Sequence, residues 1–195
     1  MAQGDVASQQ ITQIEEQPDH SVGDELEGGA RPLNLIEEVL NMTDEGECWI
    51  LGSIVSVESG VHDWCYLACN NCPKKVIEVK NGYKCKKCLR ILADPLVRYK
   101  LNIIVADGTG CLNLIVWNQE GKLILGKSAN EVRALQKAEG EKAQPKIFES
   151  LLEKRFLFKD EVSSRNISSI DLVYSVQKIC DDETLICIYS SDASI

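Results

Sequence analysis

No run of about 18 consecutive apolar residues occurs in this 195-residue chain, so it holds no candidate membrane-spanning helix. The N-terminus lacks the basic-then-apolar layout of an export signal, and the expectation is a soluble protein that is not secreted. Histidine is scarce: His20 and His62 are the only two, and neither stands in an H-x-E pair, which excludes a zinc deaminase. No βαβ pattern carries a C-x-x-C at a helix start, so a redox dithiol of the thioredoxin type has no setting here. Positive charge is also in deficit, with 21 Lys and Arg against 30 Asp and Glu, for a net charge of −9.

Cysteine, by contrast, is abundant at nine residues, an odd number. In a chain without an export signal thiols stay reduced, and paired C-x-x-C spacings read as metal ligands. Cys69-x2-Cys72 and Cys85-x2-Cys88 lie twelve residues apart. Each pair can form a tight knuckle with backbone N–H groups aimed at sulfur, and two knuckles give four thiolates in a tetrahedron, which suits one Zn2+. Asn81-Gly82 between them is a hairpin signal, as in a zinc ribbon. An Fe–S cluster is the alternative, and the regular two-knuckle spacing favours zinc. Four cysteines leave no coordination position for water, so the site reads as structural, with no enzymatic role. Cys65 competes poorly with Cys69 as a ligand, and Cys48, Cys111, Cys180 and Cys187 read as small core residues.

Charge is distributed unevenly. Residues 1–48 hold 12 acids and one base, residues 49–160 hold 18 bases and 12 acids, and residues 161–195 hold six acids and two bases. Positive charge is densest around the cysteines, where residues 72–100 carry nine bases against two acids. The pattern predicts a disordered acidic arm over 1–45, with a short helix near Leu33, and an acidic tail over 181–195. The arm reads either as a solubilising tail or as a competitor for the basic centre.

Residues 46–180 are β-rich. Cys48–Val57 reads as a strand, and over Val97–Ala106 the residues Tyr99, Leu101, Ile103 and Val105 share one face. Asp107-Gly108-Thr109-Gly110 marks a hairpin, and Cys111–Trp117 returns. Ser128-Ala129-Asn130-Glu131 has capping-box spacing for a helix over 129–138, and Pro145 opens a second one. Strands at about 155–161 and 169–179 complete the set. Five strands with a helix between the third and fourth, and a ribbon over 64–92 between the first two, are the layout of a mainly β, five-stranded OB-fold barrel, an order that other small barrels share.

Single strands of DNA need cations for phosphates and flat rings for bases. Lys74, Lys75, Lys84, Lys86, Lys87, Arg90, Arg98 and Lys100 supply the cations, and Trp64, Tyr66, Trp117, Phe156 and Phe158 the candidate rings. For any one ring core packing competes with stacking. Trp117 has parity opposite to Leu112, Leu114 and Val116, which points it out of the barrel.

Three segments, Trp64–Val76, Tyr83–Cys88 and Tyr99–Leu101, together with Ala106–Gly110, Leu125–Ala129 and Arg155–Lys159, resemble the C-terminal DNA-binding domain of the replication protein A large subunit. The resemblance spans about 46–180. It implies one structural zinc, a groove for single-stranded DNA, a nuclear location, and work in replication, repair, recombination or telomere maintenance. It also implies partner subunits joined through a C-terminal helix. Residues 181–195 show no amphipathic helix pattern, which puts trimer assembly in doubt and suits a free-standing or truncated relative, with other replication protein A subunits kept as candidate partners. The alternative is a protein-interaction module on the same fold that has lost DNA binding, in keeping with the acidic ends.

Overall fold

The computed structural model describes residues 22–27, 33–168 and 173–192. The expected disorder of residues 1–21 and 28–32, and residues 193–195 of the tail, lie outside them. The strands are β1 (Leu33–Asn34), β2 (Gly46–Val57), β3 (Cys65–Ala68), β4 (Val76–Val79), β5 (Gly82–Cys85), β6 (Ile91–Leu92), β7 (Leu96–Ala106), β8 (Cys111–Trp117), β9 (Arg155–Val162) and β10 (Val173–Cys180). The helices are α1 (Val22–Glu27), α2 (Ile36–Leu40), α3 (Asn118–Leu125), α4 (Ala129–Ala138), α5 (Ser164–Ser168) and α6 (Glu183–Asp192), with a 3-10 turn at Lys146–Leu151.

Strands pair in the order β2-β9-β10-β8-β7, and β7 pairs back onto β2, which closes a five-stranded barrel. All pairings in the ring are antiparallel except β8 with β10. Strand β2 closes it by serving two neighbours: Ser53 faces both Arg155 of β9 and Ala106 of β7. This is the OB-fold topology expected from the element order.

Alternation on each strand fills the interior. Tyr99, Leu101, Ile103 and Val105 of β7 are buried, as are Leu112, Leu114 and Val116 of β8, and Phe156, Phe158 and Val162 of β9. Helices α3 and α4 and the 3-10 turn add Ile124, Val132, Phe148 and Leu151 to the same core. Helix α4 begins as its sequence predicts: Ser128 Oγ accepts from Glu131 N at 3.3 Å, and Glu131 Oε2 accepts from Ser128 N at 2.8 Å. Asp107 ties the β7–β8 turn together, accepting from Thr109 N (2.8 Å) and Gly110 N (3.2 Å), while its other oxygen caps α2 at Ile36 N (2.7 Å). Gly121 of α3 lies against Tyr99 so closely that a Cβ would stand 2.9 Å from the ring.

A second apolar layer lies outside the barrel, on Trp49, Leu51, Leu157 and Cys180. Leu26 of α1 and Leu185, Ile186 and Tyr189 of α6 cover it. Helix α6 corrects the expectation that residues 181–195 form only an acidic tail without a helix. Asp182 accepts from Thr184 N (2.8 Å) and Leu185 N (3.2 Å), so the acidic run is an N-cap and first turn, where negative charge favours a helix. The six-residue α1 is too short to persist alone. Leu26 anchors it, and Glu25 pairs with Lys159 at 2.8 Å and Lys178 at 3.5 Å. Two cysteines also differ from expectation: Cys48 and Cys180 are core residues, but Cys111 and Cys187 are exposed, because each falls on the outward side of its element.

Inside the barrel β9 carries one charged residue. Asp160 is fully buried, and neither carboxylate oxygen has a hydrogen-bond partner among the described residues. Burial pushes its carboxyl up to about 8, and the neighbouring Cys48 thiol, also buried, up to about 12. Between roughly pH 4, where an unfolded aspartate titrates, and pH 8, the folded chain holds a proton that the unfolded chain releases. Stability should therefore fall as pH rises through that window and level off above it. Urea midpoints measured from pH 5 to 9 check this: an Asp160→Asn variant should lose the Asp160 part of the slope, and identical slopes for both proteins would contradict it. A Gly121→Ala variant should be destabilised by about 1–3 kcal/mol through overpacking on Tyr99, measured the same way.

Candidate metal centre and nucleic-acid groove

Between β2 and β7 the chain leaves the barrel and builds a three-stranded ribbon, β4-β5-β6. Strand β3 moors it by pairing antiparallel with the first half of β7, from Cys65↔Tyr99 to Ala68↔Leu96. The chain then turns through Cys69–Cys72, closed by Cys69 N donating to Lys74 O at 2.9 Å. The expected hairpin is present, but β4 and β5 turn at Lys80-Asn81, one residue before the Asn81-Gly82 signal, with Val79 opposite Gly82. Gly82 has φ +130°, and a Cβ there would meet Leu92 O at 2.5 Å, so glycine lets β6 pack against this turn.

The two knuckles bring four sulfurs together. Cys72 Sγ lies 3.6 Å from Cys85 Sγ, Cys69 Sγ lies 3.9 Å from Cys88 Sγ, and all four fall within 4.8 Å of one another. Backbone N–H groups point at sulfur as knuckles require: Asn71 N to Cys69 Sγ and Cys88 N to Cys85 Sγ, both at 3.4 Å. The Cys88 N–H is the chief reason that the Cys85 thiol drops to about 7. Val76, with Leu67, Tyr83 and Leu92, packs around the sulfurs. The cluster is suited to a single metal ion. Cys65 is not part of it, and burial raises its thiol above the ordinary range.

A groove runs between the ribbon's base and the outer face of β7 and β8. Its floor holds Tyr66 and Trp117, edge to face with ring centres 6.4 Å apart. Trp117 is 37% exposed, turned outward as its parity predicts, and its Nε1 donates to Ser175 Oγ at 3.0 Å. Tyr66 OH donates to Pro73 O at 3.2 Å, which fixes the ring against the ribbon. Strand register sets the cations beside the rings, Arg98 across from Tyr66 and Lys100 across from Trp117. Lys74 and Lys75 complete the lining from the ribbon.

Six of the residues proposed from sequence for nucleic-acid contact thus converge: Tyr66, Lys74, Lys75, Arg98, Lys100 and Trp117. Lys84, Lys86, Lys87 and Arg90 are exposed, on β5 and the second knuckle, and do not line this groove. Three aromatic candidates are corrected. Trp64 is buried between Tyr99 (5.8 Å) and Phe148 (5.5 Å), with Nε1 donating to Gln136 Oε1 at 3.2 Å. Phe156 and Phe158 are core residues, their rings 6.0 Å apart. All three sit where their apolar area fills the barrel, so none offers a face to a base. Sequence reasoning missed Asn118, Gln119 and Glu120, which line the groove from the start of α3. They follow Trp117 directly in the chain, which is the one signal that would have found them.

The profile of the family described as "Replication factor-A C terminal domain" matches residues 50–174. Replication factor A protein 1 of Schizosaccharomyces pombe is 41% identical over 73 residues, covering 36% of this chain and 12% of that protein. Replication factor A protein 1 of Saccharomyces cerevisiae is 34% identical over 101 residues, covering 50% of this chain and 16% of its own length. The chain therefore spans less than a fifth of these relatives. Among solved structures, a replication protein A heterotrimer bound to ssDNA superposes with a TM-score of 0.66 at 23% identity, covering 84% of this chain and 39% of that one. Yeast RPA bound to ssDNA gives 0.62 at 24% identity, covering 83% and 95%. At those identities the superpositions speak for the fold alone. The profile match takes in β3 to β9, with both knuckles, the groove and most of the barrel, and on that ground the chain belongs to the replication factor-A C-terminal domain family.

Proposed function

We propose that this chain is a non-enzymatic, single-stranded DNA-binding protein whose ribbon is held by one structural Zn2+. The observation that carries the reading is the groove itself, where an edge-to-face Tyr66–Trp117 pair lies among Lys74, Lys75, Arg98 and Lys100. Rings supply sequence-tolerant stacking, worth about 1–3 kcal/mol per base, and the cations neutralise phosphates and release counterions. The solved relatives described as bound to ssDNA support the choice of ligand.

Zinc follows from the donors and their spacing. A tetrahedral ZnS4 centre with Zn–S of about 2.3 Å puts sulfurs about 3.8 Å apart, and the 3.6 and 3.9 Å separations bracket that value. Cys69, Cys72, Cys85 and Cys88 would be the four ligands, leaving no open position for a reacting water. The names of the relatives support work in replication, and the family resemblance extends this to a nuclear location and to repair, recombination or telomere maintenance. One solved relative is described as a heterotrimer, which supports further replication protein A subunits as partners.

Titration of labelled oligo-dT across a salt series tests the binding. Single strands should be preferred to duplex, and Trp117→Ala should weaken binding about five- to a hundredfold. Lys74→Ala and Arg98→Ala should each reduce the slope of log K on log salt by about 0.7. No measurable binding at low salt by the unaltered protein would instead favour the interaction module. Elemental analysis should find one zinc per chain. Chelation should abolish amide-exchange protection in β4 and β5 while barrel strands β7 and β8 stay protected, because metal affinity is folding energy for the ribbon. A metal-free native protein with a protected ribbon would sink the zinc assignment.

A further inference from the structure

One carboxylate stands in the groove where phosphate has no use for it. Glu120, in the first turn of α3, lines the same cavity of about 630 Å3 as Tyr66, Trp117, Lys74 and Arg98. Among the described residues it forms no ion pair with either cation. Its backbone is held from two sides: Asn118 Oδ1 accepts from Tyr99 N at 3.3 Å, and Gly121 lies against the Tyr99 ring. Negative charge favours a helix start, but an exposed acid would serve that end as well. Glu120 is instead half-buried, and burial raises its carboxyl above the ordinary range, so a carboxylate is held there against a cost. A group that opposes phosphate and is left unpaired beside two rings suits the other part of a nucleotide, the base.

Hydrogen-bond chemistry selects one base. In a single strand the Watson–Crick edge of a stacked base is open. Thymine offers one N–H there, flanked by two carbonyl oxygens that repel a carboxylate. Cytosine and adenine each offer an amino group beside a bare ring nitrogen, which also repels it. Guanine alone presents two adjacent donors, N1–H and the 2-amino group, spaced to meet both oxygens of a carboxylate in a bidentate, charge-assisted pair. Gln119, the exposed neighbour in the same cavity, discriminates less, because its amide both donates and accepts.

Resting on the single-strand reading above, we propose that Glu120 makes the groove read guanine at one position, where a base stacked on Trp117 donates N1–H and the 2-amino group to the Glu120 carboxylate. The next atom on that edge, O6, is an acceptor, and Arg98 and Lys74 supply donors in the same cavity. Thymine stacked there would strip water from the carboxylate and return one hydrogen bond at most, so the wrong base is penalised as well as the right one favoured. The cations hold phosphates whatever the sequence, so the preference belongs to one nucleotide and the rest of the strand is bound without distinction.

Fluorescence anisotropy of the full-length, zinc-loaded protein tests this with a labelled thymidylate dodecamer and the same strand carrying one central guanine. A single guanine avoids four-stranded G structures. The guanine strand should bind about tenfold tighter. Inosine in its place, which lacks only the 2-amino group, should lose most of that gain, and 7-deazaguanine, whose Watson–Crick edge is intact, should keep it. A Glu120→Gln variant should bind the guanine and all-thymine strands within about twofold of each other, and the all-thymine strand more tightly than the unaltered protein does, since a negative charge leaves the groove. Equal binding of the two strands by the unaltered protein, inosine as good as guanine, or a guanine preference that survives in Glu120→Gln would each overturn the inference while leaving single-strand binding intact. Failure to bind any of the strands would instead remove the single-strand reading, and this inference with it.

Discussion

Strand β7 is the member on which the other parts depend, because one continuous run of eleven residues serves two structures at once. Its first residues, Leu96 to Tyr99, pair with β3 and carry the ribbon, and its later ones, Lys100 to Ala106, pair with β8 inside the barrel. A strand has two faces with a period of two. The inward set, Tyr99, Leu101, Ile103 and Val105, is therefore committed to the core, and the outward set, Arg98 and Lys100, to the groove. A slip of one residue would exchange the two sets. The register that fills the barrel thus also puts guanidinium and ammonium groups beside Tyr66 and Trp117.

The junction is stiffened from behind. Trp64, the residue before β3, is wedged between Tyr99 and Phe148, and its backbone oxygen accepts from Lys100 N at 2.9 Å. Gln136 of α4 accepts from the Trp64 indole and donates to Val61 O and Ala143 O, both at 2.8 Å. Gln144 donates to Ser59 O at 2.6 Å and Val57 O at 3.2 Å. A segment of 57–64 that would otherwise be a loose connector is held by side-chain amides from α4 and the loop that follows it. Buried polar groups satisfied in this way fix one arrangement, since leaving any of them unpaired costs about 1–3 kcal/mol. The ribbon enters on a rigid mount, and its four sulfurs need then be organised only among themselves.

What was legible in the sequence follows from how local each signal is. The knuckles, the Asn-Gly turn, the Asp107–Gly110 hairpin and the Ser128 cap are each set by neighbours within a few residues, and each recurs in the structure. The alternation over β7 and β8 was equally readable, because one face of each strand is buried and the other is not. The aromatics were misread where burial depends on distant partners: Trp64 opens the cysteine-rich segment but belongs to a core cluster that includes Phe148. Helix α6 was missed because its first residues are acidic and its apolar face is short, and only the outer surface of β2 and β9 gives Leu185 and Tyr189 something to cover. Asp160 was unreadable in principle, since a carboxylate on a strand reads as an outward residue unless the closure of the barrel is known.

The net charge of −9 gives poor guidance to what this chain attracts, and distance explains why. At physiological ionic strength exposed charges lose sight of one another beyond about 8 Å. A phosphate entering the groove meets Lys74, Lys75, Arg98 and Lys100, with Asp63 and Glu120 as the opposing carboxyls that line it. Of these, burial raises the Glu120 carboxyl above its usual range, which weakens its opposition in mildly acid solution. The acids that dominate the total stand elsewhere. Glu25 and Glu47 pair with Lys159 on the outer face of β2 and β9, Glu161 accepts from Gln177, and Asp182 caps α6. Attraction to a polyanion is thus decided by a few side chains whose positions one strand register fixes, and the acidic remainder affects it only where chain connectivity brings an acid within that screening distance.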